Sequence, residues 1–168
     1  KMEVYRNKEP ENNFLQRVRK LANDNNIVLV FDECTSGFRK NYGGLHMLYD
    51  IEPDVAMFGK ALGNGYAVTA VLGKREVMQA AEKSFISSTF WTERIGSSAG
   101  LATLKVMDKE KSWEKITKIG EYVNSEWMNL SKEFDLPITI SGLAALTTFS
   151  FKSENAVSYT HLRAHETH

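Results

Sequence analysis

The sequence predicts an α/β fold, and three observations carry the prediction. Residues 27–31 (Ile-Val-Leu-Val-Phe) and 55–58 (Val-Ala-Met-Phe) are continuous apolar runs, too short for helices and rich in strand-forming side chains. Strands apolar on both faces belong inside a parallel sheet. Segments of helical period lie before and after them, and that alternation is the α/β pattern.

The elements follow in order. From Pro10, the apolar residues Phe14, Leu15, Val18, Leu21 and Ala22 share one helical face, and Asp24-Asn25-Asn26 closes that helix. The first strand, 27–31, stops at Asp32-Glu33. A stretch bearing Gly37, Gly43 and Gly44 leads through Ile51-Glu52-Pro53-Asp54 to the second strand, 55–58, which stops at Gly59-Lys60. A third strand, 68–72, follows the Gly63-Asn64-Gly65 turn and precedes a short helix over 74–82. Residues 95–107 place Ile95, Ala99, Ala102 and Val106 on one helical face with Leu101 and Leu104 beside it, so a broadly buried helix is expected. Ser112 is the expected cap of the next helix. Its apolar positions Trp113, Ile116, Ile119, Val123, Trp127, Leu130 and Phe134 keep a helical period to Asp135, and Pro137 ends it. Residues 138–140 and 146–151 read as two strands around Gly142 that open a second, smaller unit.

Composition narrows the function. The 168 residues carry 21 Lys+Arg against 21 Asp+Glu, 42% hydrophobic residues and one cysteine. A chain this long buries about 70% of its unfolded surface without a disulfide. Zero formal net charge and no cationic stripe argue against nucleic acid and against an acidic membrane surface. No apolar run approaches the ~20 residues of a membrane span. A lone thiol and a charged start, residues 1–10, point to the cytoplasm. The chain does not open on Met, and Met2, Val4 and Tyr5 alternate like a strand already under way, so it reads as a fragment.

In an open parallel sheet, ligands collect at the carboxyl ends of the strands. The two central strands end there in Asp32 and Lys60. A carboxylate beside a heterocyclic nitrogen keeps that nitrogen protonated, and a lysine amine forms a Schiff base with an aldehyde. Pyridoxal phosphate needs both. Gly59, Gly63 and Gly65 let backbone come close to a flat ligand. Each residue also has an ordinary reading: Asp32 as a turn former, Lys60 as a solvated cation. The three glycines have the wrong spacing for a dinucleotide loop, although a nucleotide-binding module remains a weaker alternative.

The segments Val30-Phe31-Asp32-Glu33-Cys34-Thr35-Ser36-Gly37-Phe38-Arg39, Pro53-Asp54 and Phe58-Gly59-Lys60-Ala61-Leu62-Gly63-Asn64-Gly65-Tyr66 resemble the class III aminotransferases, and among them the glutamate-1-semialdehyde aminomutase-like branch. The likeness runs from about Met2 to Lys152 and covers less than half of a family member. It implies the pyridoxal-phosphate-dependent transferase fold type I, with residues 1–111 as part of the large cofactor-binding domain and 112–153 as the start of the small C-terminal α/β domain. Lys60 matches the Schiff-base lysine and Asp32 the aspartate that pairs with the pyridinium nitrogen. Cys34 stands where a valine commonly packs against the ring. Ser88 and Thr89 match a segment whose Thr contacts the cofactor phosphate of the neighbouring subunit, which implies a homodimer. The bland alternatives are a core cysteine and a Ser/Thr helix cap.

The implied activity is amino-group transfer on a small amino acid and a keto or aldehyde partner. The aminomutase reaction proper, in which the amine returns to a neighbouring carbon, is the alternative, as is an inactive fragment that binds nothing. Trp91-Thr92-Glu93-Arg94 and Thr35 depart from the aminomutase pattern and leave transferase or mutase open. Arg39 could hold a substrate carboxylate but reads rather as structural, and His46, in a glycine-flanked loop, as structural or solvated. His161, His165 and His168 lie in the segment 154–168, which reads as a non-native tail, and no metal site is assigned to them.

Overall fold

The computed structural model describes residues 9–90 and 92–151. The expected strand at Met2, Val4 and Tyr5, Trp91 and the tail from 154 lie outside them. Helix α1 (Phe14–Asp24) leads into strand β1 (Val30–Asp32), and after a long loop comes β2 (Val55–Phe58). Strand β3 (Ala70–Gly73) and the short helix α2 (Arg75–Met78) follow. Two long helices, α3 (Arg94–Glu110) and α4 (Ser112–Glu133), precede a hairpin-like pair, β4 (Ile138–Ser141) and β5 (Thr148–Phe151).

The first sheet has the order β1-β2-β3, with β1 parallel to β2 and β3 antiparallel to it. The antiparallel turn has a physical cause. Residues 59–69 are too few for the crossover that a parallel neighbour requires. Strand β2 is the buried centre: Val55, Ala56 and Phe58 are all buried. Phe58 packs on Phe38 with ring centroids 5.5 Å apart, and these two join Ala56 and Leu62 in a core that Leu104 and Met107 of α3 cover. This core fixes the start of the Gly59–Lys60 segment against α3.

Several expectations need correction. The first strand begins at Val30 rather than Ile27, because Leu29 N–H donates to the Asp54 carboxylate at 2.8 Å instead of joining the ladder. Strand β1 has one neighbour among the described residues, and Ile27, Val28 and Val30 are exposed rather than buried. Helix α1 starts at Phe14, since Asn12 and Asn13 take left-handed φ of 52°. On α3 the buried residues are Gly96 and Gly100, while Ile95, Leu101 and Val106 are exposed. An added Cβ at Gly96 would lie 3.0 Å from Ala67 O, so bare backbone is what brings α3 close to the segment before β3. Ser112 does not cap α4. The helices are separated by Lys111 alone, at φ 48°, which leaves Ser112 inside the first turn.

Helix α4 ends as a left-handed cap at Asp135, where Leu136 N–H donates back to Ser131 O at 2.8 Å. Its middle packs against the β4–β5 unit. An added Cβ at Gly120 would sit 1.9 Å from Ala144 O, and Trp127 meets Phe149 with centroids 5.0 Å apart.

Candidate active site

Asp32 is the last residue of β1 and stands beside Met57 in the parallel ladder. Lys60 follows β2 directly after Gly59. Parallel pairing therefore puts the carboxylate and the amine at the same end of the sheet, the carboxyl edge where α/β folds bind ligands. Asp32 Oδ1 accepts the N–H of Cys34 at 3.0 Å. That is the turn-forming reading of Asp32, and it coexists with an exposed side chain.

The loop after Asp32 is anchored from below. Glu33 is 2% exposed; its Oε1 accepts the N–H of His46 at 3.0 Å and lies 3.0 Å from His46 Nδ1, while its Oε2 accepts from Ser36 Oγ at 2.5 Å. His46 is structural, as its sequence context indicates. Arg39 Nε donates to Thr35 O at 3.4 Å and Arg39 O accepts from Thr117 Oγ1 at 3.5 Å, so Arg39 also braces the loop.

Lys60 adopts a left-handed backbone, φ 41°, which costs energy for a residue with a side chain and concentrates at functional positions. Leu62 N–H donates to Gly59 O and Asn64 N–H to Lys60 O, each at 2.9 Å, and these bonds hold the turn. Lys60 Nζ donates to Thr35 Oγ1, which ties the amine to the loop after β1. An added Cβ at Gly59 would lie 3.3 Å from Cys34 Sγ and 3.4 Å from Thr69 Cγ2. Gly59 is therefore where the half-buried Cys34, Thr69 and the lysine turn come together.

Lys60 lines two cavities. One, of about 650 Å³, lies between Phe38, Ala61 and Asn64 and the helical residues Met107 and Ile116. The other, about 550 Å³, joins Lys60 to Tyr66, Thr69, Ser88 and Ser97. Both fall in the roughly 300–1,000 Å³ range of small-molecule pockets. Ser88 thus shares a cavity with Lys60, and its Oγ accepts the N–H of Phe90 at 3.3 Å. Thr89 is exposed and does not line that cavity. Neither residue caps α3, whose first residue is Arg94 and whose N-cap is Glu93.

Pyridoxal phosphate asks for a carboxylate, a primary amine and donors for its phosphate. Asp32 and Lys60 offer the first two at one sheet end, and the hydroxyls of Thr69, Ser88 and Ser97 line the cavity beside Lys60. The residues fit the cofactor. Sequence reasoning had passed over Thr69, which lies in no motif, and Glu33, whose place after Asp32 in the quoted segment was the available signal. Among the described residues no cluster of three or more metal-ligating side chains occurs, and no helix is long and apolar enough to cross a membrane.

Solved structures share this fold. The FumI protein of Sphingopyxis sp. MTA144, in its PLP internal aldimine form, superposes with a TM-score of 0.83 at 24% identity over 92% of this chain and 37% of its own. An omega-transaminase from Sphaerobacter thermophilus gives a TM-score of 0.76 at 26% identity, over 88% of this chain and 34% of its own. The fold is the type I fold of pyridoxal-phosphate-dependent transaminases.

Residues 8–167 match the family Aminotransferase class-III, and the chain belongs to that family. Among curated relatives, a 3-aminobutyryl-CoA aminotransferase of Cloacimonas acidaminovorans is 36% identical over 92% of this chain, and a glutamate-1-semialdehyde 2,1-aminomutase of Nitrosopumilus maritimus is 33% identical over 89%. The chain spans 37% of the length of each. The family match runs to residue 167, into the segment 154–168 read from the sequence as a non-native tail.

Proposed function

We propose that this chain is the lysine-bearing part of a pyridoxal-phosphate-dependent enzyme of amino-group transfer. The observation that carries the reading is that Asp32 and Lys60 close neighbouring parallel strands at one sheet edge. Membership of the class III family, with both aminotransferase and aminomutase relatives, supports it. Because the chain spans 37% of those relatives, the activity is assigned to a family-length protein in which residues 1–111 belong to the large domain and 112–153 begin the small one. The segment 154–168 stays outside that assignment.

Pyridoxal phosphate, when bound, supplies an aldehyde that holds the substrate amine and a ring that draws electrons from the adjacent carbon. Asp32 would favour a protonated ring nitrogen through its negative charge. Lys60 would hold the aldehyde through its amine, and that amine, when free, would be the base that carries the proton of the substrate carbon. Cys34 fills space beside the ring without adding charge. Ser88 and Thr89 supply hydroxyls toward a phosphate, Thr89 to that of a second subunit in a homodimer. The substrates are a small amino acid and a keto or aldehyde partner, and the setting is the cytoplasm.

The test is an amino-exchange assay on the family-length protein with pyridoxal phosphate. Lys60→Ala abolishes exchange, whereas Lys40→Ala, at an exposed residue of the braced loop, leaves it within about twofold. Exchange that survives Lys60→Ala contradicts the assignment.

A further inference from the structure

We propose that Thr35 is a positioning residue for Lys60, its hydroxyl holding the lysine amine at the carboxyl edge of the sheet before any cofactor is engaged. The inference rests on the reading of Lys60 as the reactive amine and extends it to the group that aims it.

Both ends of the contact are fixed by backbone that other interactions hold. On one side, Lys60 sits in a left-handed turn whose carbonyl accepts from Asn64 N–H at 2.9 Å, which holds its backbone in that conformation. On the other, Thr35 lies between two anchored neighbours. Cys34 N–H is bound to Asp32 Oδ1 at 3.0 Å, and Ser36 Oγ donates to the buried Glu33 at 2.5 Å. Gly37 N–H donates to Glu33 O at 2.8 Å, and Arg39 Nε reaches Thr35 O itself at 3.4 Å. A β-branched side chain on so constrained a backbone has few rotamers. Thr35 Oγ1 and Lys60 Nζ therefore meet because two rigid turns present them to each other.

The chemistry gives the contact a use. A lysine side chain has four rotatable bonds and loses substantial rotamer freedom when ordered. A reactive amine that is already confined loses less on reaching an aldehyde, and small misplacements of reacting groups are expensive. Thr35 is suited to this because its hydroxyl both accepts from an ammonium and donates to a neutral amine, so the hold survives the change of protonation that a proton-carrying lysine undergoes. A longer or apolar side chain at position 35 would not bridge the same two turns in the same way.

The test reads the amine without cofactor. The full chain is treated with limiting acetic anhydride, and acetylation at Lys60 is measured by peptide mass spectrometry against exposed Lys40 in the same sample. Loss of the hydroxyl in Thr35→Val, which keeps the branched shape, raises the Lys60-to-Lys40 ratio at least threefold. Thr35→Ser, which keeps the hydroxyl, stays within about 1.5-fold of the parent. Circular dichroism on each variant confirms a common fold, and should Val unfold the chain, the Ser and Thr35→Ala pair gives the same comparison. Equal ratios in parent and hydroxyl-free variants overturn the proposal, as does a Ser variant that behaves like Val. Borohydride reduction of the family-length protein with pyridoxal phosphate reads the underlying assignment separately. Label absent from Lys60 refutes the reactive-amine reading, while an unchanged acetylation ratio refutes only the role of Thr35.

Discussion

Arg19 Nη1 lies 2.8 Å from Asp54 Oδ2, so α1 is clamped to the residue just before the central strand. Asp54 gathers more than this one partner. Leu29 N–H donates to it at 2.8 Å and Lys74 Nζ stands 3.0 Å from its other oxygen. The bond from Leu29 N–H and the two cations outweigh burial and hold the carboxyl down at about 2, against an ordinary 3.8. A folded-state value below the unfolded one means stabilisation that is complete above about pH 5 and is lost as the pH falls through 3.8 toward 2. The melting temperature of the chain should therefore drop over that window. Asp54→Asn should cost about 2–3 kcal/mol at neutral pH and flatten the acid limb. An unchanged acid limb in the Asn variant would remove Asp54 from this role.

Asp32→Asn separates charge from shape. The amide oxygen can still accept from Cys34 N–H, so the turn after β1 is kept and thermal stability should change by less than about 1 kcal/mol. The charge that favours a protonated ring nitrogen is gone. Turnover in the family-length protein should fall on the order of 100-fold or more, with cofactor still retained. Near-parental turnover would assign Asp32 to the turn alone.

Gly63 shapes the lysine turn by having no side chain. An added Cβ would sit 2.3 Å from Tyr66 O and 3.1 Å from Val68 Cγ1, and a backbone oxygen cannot step aside as a side chain can. Gly63→Ala should destabilise by roughly 1–3 kcal/mol and disturb the segment carrying Lys60, read as a lower urea midpoint. Gly65, with open space around its Cβ position but φ 99°, should respond only through its backbone conformation.

The chain of 168 residues tested by itself should show no saturable micromolar site for pyridoxal phosphate in an absorbance titration, and no amino exchange. Phosphate binding depends on several convergent donors, and Thr89, one of the proposed donors, lies outside the cavity beside Lys60. Apolar side chains exposed at Ile27, Val28 and Val30 also favour association in solution. Tight one-to-one binding with turnover would show that the whole site lies within this chain.

The parts of this structure legible in the sequence are those whose signal is local and apolar. Strand β2 matches its predicted bounds because four apolar residues in a row, three of them buried, have no competing pattern, and Asp32 and Lys60 stand where the two apolar runs give way to polar residues. Other features depend on long-range partners. Leu29 looks like strand, yet its N–H is taken by Asp54, a residue 25 positions away. Helix α3 buries Gly96 and Gly100, and a search for apolar periodicity counts glycine as nothing, so it selects Ile95 and Val106 instead. In the site, Asp32 and Lys60 stand out by their position at strand ends. The Thr35 contact with Lys60 and the Glu33 anchor beneath it become visible only once two turns from different strands face each other.

The most direct test of the central claim is to locate the bond between protein and cofactor. The family-length protein is incubated with pyridoxal phosphate, reduced with borohydride, digested and mapped by mass spectrometry. The account predicts one stoichiometric pyridoxyl label on Lys60, lost in Lys60→Ala and retained in Asp32→Asn. A stoichiometric label on another lysine, with Lys60 unmodified, would contradict it.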